Sequence, residues 1–416
     1  MKTKIILIET SDIGARYTAE AVRRLGHEPV FLVNLANYQG DTLQQIKQFE
    51  HYQVDTTSIE AMLNFIRLQS WQIAAVTTFL DSRLHLAIQM AQALNVRGLD
   101  PALLPFKDKA AVCKLGESFS PPSVSFSKHD IPLAEIESLR KSFPSIILKP
   151  RCTAGGIGAR EFAASEPISE ILGHLNSLEI PNHLQPTEWM AQAFVQGELV
   201  SAEGYVKNGV TTILGFTGRR KVGNTESWCG FPYEARMPVL SLADAQSKVV
   251  NLMDATGIQN AFFHIELMIN AESAYIIDAN LGRMGGGGIG EMFASSFGVT
   301  PSDIFVEVLK VTLFPEKEMS IFWESAPQVS ISVNYGIARE ATLLSVTPVT
   351  ISSEIFSTRI LDAGSIAPAM GTNNWAWIGI VGGLEAEVLQ CLRDLRLMTD
   401  VGCLPVCFAL PDASGL

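Results

Sequence analysis

The sequence predicts a mixed protein, α/β at its start and α+β beyond, in which a parallel sheet is followed by antiparallel sheets. At the start of the chain, short apolar strands alternate with amphipathic helices, which is typical of a parallel, Rossmann-like sheet. From Pro121 onward, strands follow one another with few helices and with glycine-rich turns between them. That pattern favours antiparallel pairing.

The N-terminal elements follow from hydrophobic periodicity. The predicted elements are strands at Lys4–Glu9, Pro29–Val33 and Ile73–Thr78 and helices at Ala15–Leu25 and Ser82–Leu94. A parallel sheet binds ligands at the carboxyl ends of its strands, here near Thr10 and Thr77. Glu9–Gly14 reads Glu-Thr-Ser-Asp-Ile-Gly, which lacks the glycine fingerprint of a dinucleotide site, and no phosphate-loop motif occurs in the chain.

The middle and the tail of the chain are rich in strands. The expected strands are Ser145–Lys149, Thr187–Phe194, Leu199–Val206, Thr211–Phe216, Val329–Val333, Ser357–Leu361 and Trp377–Val381. Ser118–Ser127, with two prolines and several serines, is expected to be a linker. One helix is expected in the tail, at Leu384–Leu395.

Composition narrows the class of protein. The chain has 416 residues and a formal net charge of −12, which argues against a nucleic-acid or anionic-membrane surface. No apolar run approaches the ~18–20 residues that cross a bilayer, and the short apolar run after Lys4 does not resemble a signal peptide. The six cysteines form no Cys-x-x-Cys pair. These features predict a soluble cytoplasmic protein with reduced thiols.

A hairpin over Ala261–Gly290 carries the densest chemistry. Strand alternation places His264 and Glu266 on one face, and a turn centred on Glu272 would put Asp278 opposite Glu266 and Asn280 opposite His264. Facing carboxylates are destabilising unless a cation neutralises them, and their oxygens suit Mg²⁺. Ordinary acidic residues on a solvent-facing hairpin are the alternative.

Two lysine-containing segments precede this hairpin. Lys149 ends an apolar strand and is followed by a turn containing Gly155 and Gly156, so that charge and backbone N–H groups could meet phosphate. Lys109 follows the last helix of the first region. Each segment alone is also compatible with an ordinary turn or a solvated charge run.

Together, the two lysines, the glycine turn and the Glu–Asp–Asn strand pair resemble the ATP-grasp superfamily, over roughly residues 1–310. The resemblance implies an ATP-grasp fold with a Rossmann-like N-terminal sheet, a central flap subdomain and a C-terminal antiparallel-sheet domain. The implied domains are 1–115 (Rossmann-like), 116–190 (flap), 191–327 (catalytic subdomain) and 328–416 (C-terminal extension completing the ligase domain).

The resemblance also implies roles for individual residues. Nucleotide binding falls to Lys109, Lys149, Gly155 and Gly156 for phosphates, to Gln192, Phe194 and Val195 for adenine, and to Glu198 for ribose. Glu266, Asp278 and Asn280 are the implied metal ligands. Gln192 departs from the family, which commonly has Glu there, and Gly282 is an extra residue before Arg283.

Within the superfamily, size and layout look most like the L-amino acid ligases. That likeness implies ATP with two Mg²⁺ ions, for which Mn²⁺ substitutes, and amino acids as substrates. It gives Arg283 and His264 catalytic roles and places Glu234, Arg283 and Gly286 at the amino acid. His264 is equally well explained as a structural residue. A homodimer is one option for the chain, whereas nucleic-acid and membrane partners are not expected.

Other interpretations stay open at this stage. A biotin-carboxylase-like or purine-pathway carboxylase would activate bicarbonate instead of an amino acid. A non-catalytic ATP-binding protein would have no need for the full set of metal ligands. The run Arg219–Lys221 is interpreted as a solvated turn rather than a phosphate clamp, and Trp375 and Trp377 as core residues.

Overall fold

The computed structural model describes residues 2–11, 14–116, 118–153, 158–177, 186–347, 355–373 and 375–410. The N-terminal region alternates strands and helices. Its elements are β1 (Lys4–Ile8), α1 (Ala15–Arg24), β2 (Glu28–Val33), α2 (Gly40–Ile46), β3 (His51–Gln53), α3 (Ile59–Arg67), β4 (Ile73–Thr77), α4 (Leu84–Leu94) and α5 (Lys109–Leu115). The strands are all parallel, in the order β3-β2-β1-β4, which confirms the Rossmann-like sheet. Short 3₁₀ helices at Asp81–Arg83 and Pro101–Lys107 follow β4 and α4.

The next region is a small antiparallel sheet with two helices. Its elements are β5 (Ser123–Ser127), α6 (Leu133–Ser142), β6 (Ser145–Pro150), β7 (Arg160–Ala163), α7 (Ile168–Ser177) and β8 (Glu188–Ala193). The strand order is β5-β8-β6-β7. The expected linker Ser118–Ser127 is therefore wrong in its second half, because Ser123–Ser127 pairs with β8. Its serines alternate with Val124 and Phe126, which pack against the core of this sheet.

The remainder of the chain is built on a large antiparallel sheet. Its elements are β9 (Glu198–Lys207), β10 (Val210–Val222), β11 (Thr225–Phe231), α8 (Val239–Thr256), β12 (Asn260–Ile269), β13 (Ala274–Leu281), α9 (Ile289–Phe297), α10 (Pro301–Leu313), β14 (Ser330–Tyr335), β15 (Ala341–Val346), β16 (Ile355–Arg359), β17 (Ile366–Ala367), β18 (Gly379–Leu384), α11 (Glu385–Asp394), β19 (Arg396–Thr399) and β20 (Gly402–Pro405). Eight strands form the order β13-β12-β9-β10-β11-β14-β18-β16, and β17-β15-β19-β20 form a separate sheet.

The tail of the chain thus continues the large sheet. β14 pairs with β11, and β18 and β16 follow outward, so residues after 328 supply three of its strands. The proposed domain limits remain a prediction. No helix in the described ranges is long and apolar enough to span a membrane.

Two β-bulges turn side chains toward one face of the large sheet. Ile277 has no partner in β12, because Asp278 pairs with Glu266 and Ile276 pairs with Leu267. Ser227 has no partner in β10, since Trp228 pairs with Arg220 and Glu226 pairs with Lys221. A bulge reverses the alternation of side chains beyond it. Asp278 follows the bulge at Ile277 and Glu226 precedes the bulge at Ser227, and both carboxylates face the same side of the sheet.

Candidate functional site

A polar strip crosses five neighbouring strands of the large sheet on one face. Its residues are Glu203 on β9, Arg219 on β10, Glu226 on β11, His264 and Glu266 on β12, and Asp278 and Asn280 on β13. The opposite face of β12 carries Phe263, Ile265 and Leu267, which belong to the main apolar core. The alternation predicted for β12 is confirmed.

The predicted register of the β12–β13 hairpin is also confirmed. Glu266 is the partner of Asp278, and His264 is the partner of Asn280. The turn itself is centred half a residue before Glu272, since Ile269 pairs with Ala274, and the bulge at Ile277 restores the expected pairing. The two carboxylates and the amide therefore lie on adjacent strands of one face.

Two lysines, Lys109 half-buried and Lys149 buried, approach β13 from different elements. Lys109, at the start of α5, donates to both carboxylate oxygens of Asp278, at 2.9 and 3.0 Å. Lys149, at the end of β6, donates to the carbonyl of Ile277 at 2.8 Å. Burial lowers the pKa of Lys149. Burial also acts to lower the pKa of Lys109, but the Asp278 carboxylate outweighs it and raises that pKa.

The backbone around Asp108 links these two lysines. Asp108 caps α5 by accepting from the N–H of Ala110, and Arg151 donates to its carboxylate through Nε at 2.9 Å. The N–H of Lys109 donates to the carbonyl of Arg151 at 3.0 Å, two residues beyond Lys149. Arg151 also pairs with Glu188 on β8 at 2.8 Å. The start of α5 is therefore attached to the small sheet.

His264 is almost completely buried and has a protein partner at each ring nitrogen. Nδ1 lies 2.5 Å from Oε1 of Glu203, and Nε2 lies 3.4 Å from Oε1 of Glu266 and 2.9 Å from Nη1 of Arg219. Burial acts to lower the pKa of His264, but the Glu203 carboxylate outweighs burial and holds the pKa above its usual range. Glu203 also accepts from the N–H of Gly285 at 3.4 Å, so the imidazole is connected to the glycine loop.

Arg219 is a site residue that the sequence interpretation missed. It lies inside β10, is only 7% exposed and pairs with Glu226 and, at 2.6 Å, with Glu266. The interpretation of Arg219–Lys221 as a turn is therefore wrong, because β10 runs to Val222, and Arg219 is also not solvated. The length of this strand was the missing signal, since alternation from Thr217 would have turned Arg219 inward.

The predicted adenine and ribose residues lie where the small sheet joins the large one. Residues 194–197 connect β8 to β9, and the N–H of Phe194 donates to the carbonyl of Ser145 at 3.0 Å. Val195 is half-buried in this connection. The buried Gln192 amide donates to the carbonyl of Pro121 at 3.3 Å. Gly155 and Gly156 lie outside the described residues.

Glu198 lies farther along β9 from the metal-ligand candidates. Its carboxylate accepts from Arg220 and from the hydroxyl of Tyr233. Ser201 is the β9 partner of Glu266, and Glu198 lies three residues before it, so strand alternation places the Ser201 and Glu198 side chains on opposite faces of β9.

Three predicted substrate residues occupy different surroundings. Glu234 accepts from the N–H of Phe216 at 2.8 Å, so one carboxylate oxygen serves the backbone. A Cβ at Gly286 would meet no atom within 4 Å. Arg283 donates through Nη1 to the carbonyl of Met284 at 3.0 Å, and its Nε lies 3.9 Å from Asp81 on the first sheet's ligand edge.

The donor set fits a divalent cation shared with a second ligand. In the part of the chain that the structure describes, no group of three or more His, Cys, Asp or Glu side chains could hold a metal by itself. Glu266, Asp278 and Asn280 offer two carboxylates and an amide, which are hard oxygen donors that suit Mg²⁺. Such a set is typical of Mg²⁺ sites completed by phosphate oxygens.

The fold is that of the ATP-grasp proteins, and solved structures of this class superpose over nearly the whole chain. The L-amino acid ligase of Bacillus licheniformis has a TM-score of 0.73 at 17% identity and covers 95% of this chain and 99% of its own. Phosphoribosylglycinamide synthetase of Anaerococcus prevotii has a TM-score of 0.68 at 12% identity, with 95% and 99% coverage. No protein-family model matches the sequence, and no curated protein matches it significantly.

A third similar structure contains nucleotide. The biotin carboxylase domain dimer of the Hydrogenobacter thermophilus 2-oxoglutarate carboxylase, in complex with MgADP, ADP and bicarbonate, has a TM-score of 0.71 at 14% identity. It covers 96% of this chain and 91% of its own. At these identities the comparisons confirm the fold predicted from the sequence.

Proposed function

We propose that the protein is an ATP- and Mg²⁺-dependent carboxylate–amine ligase that activates an amino acid and joins it to a second amine. The observation that carries the proposal is the convergence of Lys109 and Lys149 on the strand that holds Asp278. The two ammonium groups can neutralise phosphate oxygens, and the facing carboxylates Glu266 and Asp278 can bind the metal ion that accompanies a polyphosphate.

In this proposal the substrate carboxylate attacks the γ-phosphorus of ATP, and the bond to ADP breaks. The resulting acyl phosphate is then attacked by the amine, which releases phosphate. Lys109 and Lys149 bind phosphate oxygens, and Arg283 stabilises the negative charge at the carboxylate. Glu266, Asp278 and Asn280 would hold Mg²⁺, which would supply neutralising charge for the phosphates when bound. No side-chain nucleophile is required.

His264 has a positioning role in this scheme. Its ring nitrogens already contact Glu203 and Arg219, and Glu203 reaches the N–H of Gly285. The imidazole therefore fixes the metal-ligand strand relative to the glycine loop that follows Arg283. Glu198, with Arg220 and Tyr233 around it, is proposed to face the ribose.

A bicarbonate-activating carboxylase is the second candidate. It is favoured by one observation, the TM-score of 0.71 to a biotin carboxylase domain, which nearly equals that to the amino acid ligase. The two candidates share the phosphate and metal groups and differ only in the acid that is activated. Substrate dependence separates them.

The test is phosphate release from ATP and Mg²⁺ with single and paired amino acids, and with bicarbonate as a separate condition. The D278N variant, which loses a carboxylate of the metal pair, serves as the background for contaminating ATPases. We expect release that needs a particular pair and yields a product of the coupled mass. Release with bicarbonate alone would replace the ligase by the carboxylase, and no dependence on either would contradict both.

A further inference from the structure

A second cluster of charges lies where the first sheet meets the loop after β13. Asp81 follows β4 at the ligand edge of the parallel sheet, and Lys107 ends the 3₁₀ helix Pro101–Lys107. The two form a direct ion pair, and Nε of Arg283 lies 3.9 Å from the same carboxylate oxygen. The N-terminal region thus reaches the residue proposed to hold the substrate carboxylate.

Positive charge is in excess in this cluster. The side chains of Lys107, Asp81 and Arg283 are 24%, 17% and 18% exposed, so water screens them little. Lys109 is neutralised by Asp278, which leaves Asp81 facing both Lys107 and Arg283. Nε of Arg283 is buried and has no hydrogen-bond partner among the described residues. A partly buried surplus cation is the arrangement that binds an anion.

Gly282 explains how Arg283 comes to lie there. Its φ is +97°, and a Cβ would lie 2.6 Å from Cδ1 of Leu84 and 2.9 Å from Cδ1 of Leu103. A side chain at this position would strain the backbone and press on the ends of these two leucine side chains. Gly282 therefore lets the loop lie against the N-terminal region, directly before Arg283.

We propose that Lys107 and Arg283 together bind the anionic group that is activated, with Asp81 as the positioning residue that holds Lys107. This inference rests on the proposed ligase function. The carboxylate oxygen forms a bond to the γ-phosphorus, the bond between that phosphorus and the ADP oxygen breaks, and ADP leaves with the electron pair. The acyl phosphate carries more negative charge than the carboxylate, so two cations stabilise it better than one.

The experiment measures anion binding independently of turnover. Inorganic phosphate, the second product, is titrated calorimetrically into the protein with MgADP present, in wild type and in K107M, D81N and R283M. We expect K107M and R283M to weaken phosphate binding about tenfold each, as for the loss of a charge-assisted hydrogen bond. Lys4, which is 18% exposed and pairs with Glu50 at the amino end of β1, provides the matched control K4M.

The charge-swapped variant D81K/K107D distinguishes a role of the Asp81–Lys107 pair in positioning the cation from a role in stability alone. We expect the swapped ion pair to restore the thermal midpoint. We expect phosphate binding to stay weak, because the cation is displaced. Phosphate affinity unchanged in K107M, or fully restored by the swap, would overturn the inference, as would a wild type that binds no phosphate.

Kinetic measurements distinguish failure of the inferred anion site from failure of the proposed ligase function. With the best amino acid from the release assay, K107M should raise KM for the acid about tenfold and leave KM for ATP within about twofold. A wild type that turns over while K107M keeps the acid's KM contradicts only the role of Lys107. A wild type without acid-dependent turnover contradicts the ligase, and the phosphate titration still decides on the anion site.

Discussion

Lys109 makes a direct contact between α5 and β13. It holds both oxygens of Asp278, while Lys114 on the same helix is exposed. We expect K109M to weaken ATP binding by about tenfold to a hundredfold, because a buried charge-assisted contact to phosphate is lost. The measurement is calorimetric binding of a non-hydrolysable ATP analogue with Mg²⁺. K114M is the control, and equal affinities in the two variants would contradict the role of Lys109.

Glu291 allows a prediction about pH. It is 2% exposed on α9, and burial raises its pKa from 4.5 to about 8. Between these values the unfolded chain releases a proton that the folded protein keeps, so this group lowers stability as pH rises from about 4.5 to 8. We expect E291Q to lose less stability than wild type across that range. Urea denaturation at several pH values measures this, and parallel curves for both proteins would refute it.

The loop that follows β13 contains two glycines with different surroundings. Gly282 has a positive φ and a Cβ there would press on the ends of Leu84 and Leu103, whereas a Cβ at Gly286 would meet no atom within 4 Å. We expect G282A to cost about 1–3 kcal/mol of unfolding free energy, through strain and overpacking against Leu84 and Leu103. G286A should change stability by less than about 0.5 kcal/mol. Chemical denaturation measures both, and similar costs in the two variants would contradict the described packing.

Elements were predicted well where a single periodicity governs them. The strand over Lys4–Glu9, the helix over Ala15–Leu25 and the pairing of Glu266 with Asp278 all follow from alternation or helical spacing. The bulge at Ser227 could not be anticipated, because it depends on which strand lies beside β11. The sequence analysis also missed Glu226 and Glu203. Their partners, Arg219 and His264, lie on other strands, so no local pattern connects them.

At the scale of the whole molecule, the tail is an integral part of the large sheet. β14 pairs with β11, and Ile331, Val333 and Tyr335 enter the main apolar core. We expect a chain ending at residue 327 to aggregate, because the edge of β11 and this core would be exposed. Size-exclusion chromatography and thermal unfolding of the truncated chain test this. A monomer with a cooperative transition would show instead that residues 328–416 are a separate domain.

The sequence predicts the architecture of the whole molecule better than it predicts the substrate. The order of a parallel region followed by antiparallel sheets depends on local patterns, and the ATP-grasp resemblance added the lysines and the acidic hairpin. The cluster of Asp81, Lys107 and Arg283 joins residues far apart in the chain, and no local pattern marks it. In the proposed function, the group that binds the activated acid is built from such contacts between distant segments.

The link between Asp108 and Arg151 has a consequence for the spacing of two charges. Lys109 and Lys149 belong to different segments, yet the Asp108–Arg151 ion pair and the bond from the Lys109 N–H fasten the first to the strand of the second. Both ammonium groups also contact β13, Lys109 at Asp278 and Lys149 at the carbonyl of Ile277. The spacing of the two charges is therefore set twice, by the attachment of α5 to the small sheet and by the shared contact with one strand of the large sheet.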